Sequence, residues 1–281
     1  MTGEVTPPAT IPAASAPALA THAPATPEPA ARAPASLAPS ARAASAARIA
    51  MWSGPRTIST ALMRSWENRP DTVVVDEPLY GFYLARSGVP HPGRDEIMRS
   101  MSCSWREVLA EICSAPLPAG KTVYYQKHMT HHLLPEVDRG SLRGLRHAFL
   151  IRDPRQLLAS YARVRAEPVL ADLGLAQQVE IFRLFGGPVV DAADILRQPR
   201  KMLEALCAAL DVPFDPAMLS WPAGPRPTDG VWARYWYDGV RRSTGFGPYR
   251  ESAADLSSAL EPLAAQCQLF YDEMFTHRLV P

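Results

Sequence analysis

Phe149-Leu150-Ile151-Arg152-Asp153-Pro154-Arg155-Gln156-Leu157-Leu158-Ala159-Ser160-Tyr161 is the stretch that decides the fold. With His147 and Ala148 its first residues make a short apolar strand. Pro154 at a first helical position, with Asp153 before it as a cap, opens a helix over 154–164. A strand running straight into a helix is the repeating unit of a parallel sheet, and the junction is a natural anion site. Arg152 supplies a forked donor for phosphate oxygens. Ser160, about two helical turns on, can donate from its hydroxyl. Arg155 is either solvent-exposed or paired with Asp153.

Outward from this unit the same alternation recurs. Strands are expected at 47–52, 72–76, 122–126, 147–151 and 188–190, and Val73-Val74-Val75 suits a strand buried on both faces. Helices are expected at 59–67, 105–114, 154–164, 175–185, 199–210 and 257–275. The pattern predicts an α/β fold of three layers, with a central, mostly parallel sheet flanked by helices. The chain has 281 residues, 47% of them hydrophobic, enough for a sizeable core. Residues 1–46 are nearly all Ala, Pro, Ser and Thr and read as a disordered tail; residues 47–281 read as a single domain. The segment 221–249, rich in Gly, Pro, Trp and Arg, is irregular in the way functional segments often are.

Charge and cysteines narrow the class. A formal net charge of +1 gives the whole molecule no broad field for nucleic acid or an anionic membrane, so any anion must be held by local clusters. Cys103, Cys113, Cys207 and Cys267 match no zinc spacing and read as reduced thiols of a cytoplasmic protein. No apolar run is long enough to cross a bilayer, and no secretory signal is expected at the N-terminus. His128, His131 and His132 cluster without a metal-site spacing, so no metal is expected. The oligomeric state is not legible.

A second anion element lies at Ser53-Gly54-Pro55-Arg56-Thr57-Ile58-Ser59-Thr60, between the first strand and the first helix. Backbone N–H groups, the helix dipole, Arg56 and three hydroxyls all favour an anion there. The Lys of a Walker A loop is absent, which argues against a standard ATP or GTP hydrolase.

These two units carry a resemblance. Pro55 to Arg64 is similar to the loop with which P-loop, PAPS-dependent sulfotransferases hold the 5′-phosphosulfate of 3′-phosphoadenosine 5′-phosphosulfate (PAPS). Ile58 stands where that family usually has Gly; a β-branched side chain resists positive φ, so a less tightly coiled loop is expected. The stretch Phe149–Tyr161 resembles the family's strand–RDPR–helix unit for the 3′-phosphate, with Arg152 and Ser160 at the family's spacing. Arg241-Arg242-Ser243-Thr244-Gly245 loosely resembles its late basic loop. The stretch 187–196 and Val212-Pro213-Phe214-Asp215-Pro216 look like its scaffold.

The resemblance implies sulfuryl transfer from PAPS to a hydroxyl or amine of a small molecule. Glu77, at a strand's carboxyl end and spaced from Arg56 as in tyrosylprotein sulfotransferases, is the expected base. Asp76 is its competitor, and alternation should point it to the opposite face. Lys127, at the end of a strand, and Arg56 are expected to neutralise the transferred group; His128 is an alternative base. Trp232, Tyr235, Trp236 and Tyr237 either wall an acceptor pocket, stack on adenine or simply pack. A P-loop kinase-like phosphotransferase and a non-catalytic nucleotide-binding protein are the other readings. Some relatives carry branched-chain aminotransferase names, which raises Lys127 as a Schiff-base lysine for pyridoxal phosphate.

Overall fold

The computed structural model describes residues 46–165, 167–250 and 256–280, so the tail over 1–46 lies, save its last position, outside the described residues. Five strands, β1 (Ala47–Ser53), β2 (Thr72–Asp76), β3 (Val123–Met129), β4 (Arg146–Ile151) and β5 (Val189–Asp191), form one sheet. Their order is β2-β3-β1-β4-β5 and every pairing is parallel. Because β1 lies between β3 and β4, the connections diverge at its carboxyl end. That is the switch point where open α/β sheets build their sites.

The sheet is buried on both faces, and β1 shows how. Ile49 and Met51 enter one apolar layer, with Leu62, Met63 and Trp66 of α1 (Ser59–Glu67). Ala50 and Trp52 enter the other, with Leu79 and Phe82. Helices α2 (Tyr80–Ser87), α3 (Arg94–Ser100), α4 (Trp105–Ser114) and α5 (Pro154–Tyr161) follow in chain order. Val108, Leu109 and Ile112 of α4 complete the second layer.

Some elements differ from expectation. Helices α2 and α3 occupy a segment that carried no readable helical signal. The closing helix starts at Glu261, with Pro262 in its first turn, not at Ser257. Strand β3 runs on to Met129, so Lys127 lies inside a strand instead of at its end.

Alternation along β3 also separates its polar residues. Tyr125 belongs to the layer of α1, whereas His128 stacks on Trp52 of the other layer (4.3 Å). His128 Nε2–H donates to Gln126 Oε1 (3.1 Å), and Gln126 in turn donates to Ile112 O (2.8 Å). It is a satisfied core histidine, and its face of the sheet makes it no base for the site. Trp52 Nε1–H donates to His147 Nδ1 (3.0 Å), and His147 Nε2–H donates to Leu142 O (3.1 Å), which fixes a neutral ring.

Burial, then the charges of His147 and Lys127, pushes His128 down to about 3; burial pushes His147 down to about 4. An unfolded imidazole titrates near 6.5, so between these limits the unfolded chain binds protons that the folded chain refuses. The stability involved is complete above about pH 6.5 and is lost as pH falls toward the folded values. Melting temperature should therefore fall steadily from pH 7 to 5, each histidine contributing up to about 1.4 kcal/mol per pH unit. A flat profile would contradict this burial.

Candidate functional site

The loop between β1 and α1 begins where the chain passes closely over another backbone. A Cβ on Gly54 would meet Leu173 O at 2.9 Å, so only glycine fits. Arg56 and Ile58 then take left-handed conformations (φ 61° and 63°). The looser loop expected from Ile58 is not what forms. Ile58 adopts the left-handed N-cap position of α1, and its side chain packs against the inner apolar layer. That conformation costs about 1–3 kcal/mol, which the packing must offset. No side chain caps α1, and Ser59, Thr60 and Ala61 line the cleft above it. Their first-turn N–H groups are those that a helix leaves without intrahelical acceptors.

The unit after β4 meets this loop directly. Asp153 caps α5, accepting from Gln156 N (3.0 Å). Arg152 Nη1 donates to Arg56 O (2.6 Å), and Arg56 Nε donates to Ser160 Oγ (3.0 Å). Two arginines from distant parts of the sequence are thus held together, one on the other's backbone carbonyl. Burial lowers the pKa of each; Arg163 adds to the effect at Arg56, and Arg56 at Arg152. Arg155 has turned away: it pairs with Glu261 at 2.6 and 2.8 Å, not with Asp153.

A second cluster forms at the ends of β2 and β3. The register sets Asp76 beside Lys127, on the same face of the sheet. Lys127 Nζ donates to Asp76 Oδ1 (2.8 Å), Glu77 Oε1 (2.5 Å) and Tyr237 OH (3.0 Å). Tyr237 OH donates to Asp76 Oδ2 (2.5 Å). Simple alternation would place Glu77 on the far face from Asp76. Instead Glu77 takes φ 47° and its N–H stays on Lys127 O (2.8 Å), which swings its carboxylate round to the same lysine. Burial pushes the Glu77 carboxyl above the usual range, Lys127 opposes this and Asp76 adds to it. At Lys127 burial disfavours the charge, but Asp76, Glu77 and Tyr237 together hold its pKa well above the ordinary value.

One cleft of about 600 Å³ joins the two clusters. Pro55, Arg56, Thr57, Ile58, Ser59, Thr60, Glu77, Lys127, Arg152, Ser160, Ser243 and Gly245 all line it. Ser53 lies beneath, donating to His128 O (3.3 Å), and Gly54 lies under the loop. Arg241 faces Asp229 (3.9 Å) and, like Arg242 and Thr244, is not part of the lining. Beyond Glu77 the wall is mostly rings, Tyr80, Tyr83, His91, His131, His132 and Trp236, with the Arg165–Asp172 ion pair (2.8 Å) also in the lining. Among the described residues no group of three or more His, Cys, Asp or Glu is placed to hold a metal.

A family model described as a sulfotransferase domain matches residues 47–277 of the chain, a stretch that contains both clusters. The chain belongs to the sulfotransferase-domain family. Two curated Arabidopsis thaliana proteins are similar to it. Branched-chain-amino-acid aminotransferase-like protein 1 is 39% identical over 70% of the chain, and protein 2 is 34% identical over 82%. The chain spans only 36% and 41% of their lengths. Among solved structures, the sulfotransferase domain from the curacin biosynthetic pathway is 14% identical, covering 79% of this chain and 98% of its own (TM-score 0.48). The sulfotransferase from Alicyclobacillus acidocaldarius is also 14% identical, covering 83% and 97% (TM-score 0.49).

In this sulfotransferase domain the late segment that brings Tyr237 to Lys127 is anchored on α1. Arg64, 1% exposed, donates to Glu67 Oε2 (3.1 Å) and pairs with Asp229. Asn68 Nδ2 donates to Ala217 O (2.8 Å) and Ser220 O (2.7 Å). Asp229→Ala leaves the buried Arg64 charge half-compensated. It should lower stability by about 3 kcal/mol in urea unfolding, and a loss under about 0.5 kcal/mol would contradict the anchoring role.

Proposed function

We propose that this sulfotransferase takes its sulfuryl group from PAPS and passes it to a hydroxyl or amine of a small molecule. The contact of Arg56, Arg152 and Ser160 carries the reading. Arg152 donates to the Arg56 carbonyl and Arg56 to Ser160, the two charges are near enough for Arg56 to lower the pKa of Arg152, and among the described residues neither forms a salt bridge with a carboxylate. Such a pair fits a multiply charged oxyanion, which relieves their repulsion and takes their forked donors. The 3′-phosphate of PAPS fits here, with Ser243 and Gly245 of the late loop near it. The 5′-phosphosulfate fits against residues 55–60 and the N-terminus of α1.

The chemistry then falls to the second cluster. Glu77 takes the proton of the acceptor hydroxyl as the new bond from that oxygen to sulfur forms. The bond from sulfur to the 5′-phosphate oxygen breaks, and 3′-phosphoadenosine 5′-phosphate (PAP) leaves. Lys127 neutralises the charge that builds on the sulfuryl and bridging oxygens; Arg56, expected from the sequence to share that task, is turned instead to Ser160 and the 3′-phosphate side. A lysine held this firmly in its charged form is the opposite of the neutral amine that a pyridoxal Schiff base demands. The ring-lined end of the cleft suits a flat, uncharged acceptor.

Isothermal titration tests the donor site. PAP should bind saturably, and Arg152→Ala should weaken it by about 1.5–3 kcal/mol, the loss of a charged hydrogen bond. Unchanged affinity would refute the assignment. The pH dependence tests the base. Glu77 works when ionised, and its pKa is raised by burial, so the acid limb of kcat/KM should lie above the ordinary carboxylate range near 4.3. Asp76 contributes to that rise, so Asp76→Asn should move the limb to lower pH; an upward move would contradict the arrangement.

A further inference from the structure

Among the described residues the Nδ1 atoms of His91, His131 and His132, all in the cleft wall, are buried without a hydrogen-bond partner, and that of His132 faces the base. His132 is 2% exposed, and its Nδ1 makes no hydrogen bond among the described residues. The atom across from it is Glu77 Oε2, at 3.9 Å, about 0.7 Å beyond hydrogen-bond reach. A buried polar atom is rarely left unpaired, and one that is requires an explanation.

The imidazole cannot close this gap itself. Tyr80 and Tyr83, one helical turn apart on α2, both stack on it (4.4 Å at 16° and 4.7 Å at 27°). His131 packs edge-on at 4.3 Å. Burial, then the neighbouring His131 and Lys127, keeps the ring neutral, so it can offer one N–H to a carboxylate without adding charge. Glu77 is the movable partner. Its other oxygen is tied to Lys127, but Lys127 keeps Asp76 and Tyr237 if Glu77 lets go. The base is therefore caught between two donors, one occupied and one waiting.

We propose that His132 is the positioning residue for Glu77: its Nδ1–H takes up the Glu77 carboxylate once the sulfuryl donor engages Lys127, and so aims the carboxylate at the acceptor's hydroxyl. No proton leaves His132 in the cycle; the acceptor's proton goes to Glu77 and then to solvent. Tyr80, Tyr237, Asp76 and Lys127 are the other titratable groups around Glu77, and none of the tyrosines donates to its free oxygen among the described hydrogen bonds. The inference rests on the assignment of Glu77 as the base.

Full-length protein labelled with ¹⁵N-histidine tests it, with PAPS as the probe and no acceptor added. A downfield Nδ1–H signal from His132 should appear on adding PAPS and be absent in Glu77→Ala. Saturable PAPS binding without that signal overturns the role of His132 and leaves the donor site standing. Absence of any PAPS binding takes down the donor site and this inference together. Kinetics give a second reading, as PAP released from PAPS with 2-naphthol or, where that is refused, with water as acceptor. His132→Phe keeps the stacked ring and removes the donor. It should keep the KM for PAPS, lower kcat about tenfold, a fraction of what a general base supplies, and move the acid limb upward. His132→Asn places an amide N–H near the position of Nδ1 and should restore both. An unaltered His132→Phe, or a His132→Asn as impaired as His132→Phe, would overturn the inference.

Discussion

A buried ammonium at the carboxyl edge of a parallel sheet has to be neutralised where it stands, and Lys127 is neutralised twice. Asp76 meets it because β2 and β3 pair in a register that sets the two residues side by side. Glu77 meets it because the chain accepts a left-handed residue just past the strand. Tyr237 reaches the same ammonium from the late segment and closes the cluster. One cation thereby fixes a strand register, a strained turn and the placement of a distant loop. Removing both carboxylates would leave a buried ammonium uncompensated, which a water-poor interior penalises heavily.

The arginine side of the cleft rests on the opposite imbalance. Arg56 and Arg152 are brought together with no carboxylate between them among the described residues, and Ser160 lies within hydrogen-bond reach. Backbone strain is concentrated in the same region: Arg56, Ile58 and Glu77 are three of the four non-glycine residues with positive φ among the described residues. Strain and like-charge contact of this kind persist where the surrounding packing enforces them, and they are what a ligand-binding edge tends to store. One half of the cleft has a surplus of positive charge and the other a carboxylate of raised pKa. That division matches a reaction in which an anion is held at one end and a proton removed at the other.

Much of this was legible in the sequence. Arg152, Asp153 and Ser160 announced their unit by type and spacing, because a strand, a proline-initiated helix and a cap leave few other conformations. All five strands were readable, since Val73, Val74 and Val75 and the apolar runs of β1 and β4 suit nothing else. What was hidden was tertiary. The extension of β3 through Lys127 was masked by the polar run Gln126-Lys127-His128, whose burial depends on partners from other strands. Asp76 looked as if it faced away from Glu77, because alternation cannot anticipate a positive φ at a glutamate. Tyr237 and His132 were visible only as members of an aromatic and a histidine cluster, without their partners: one is placed by a segment that follows no regular pattern, the other by stacking against α2. Ile58 warned of a looser loop, yet packing on the inner layer was enough to hold the coil.

A crystal structure of the protein with PAP bound tests the central claim most directly. The account predicts the 3′-phosphate between Arg56, Arg152 and Ser160, and the 5′-phosphate against the N-terminus of α1 near Thr57 to Thr60, within reach of Lys127. PAP bound elsewhere, or with its two phosphates reversed between these sites, would contradict the account.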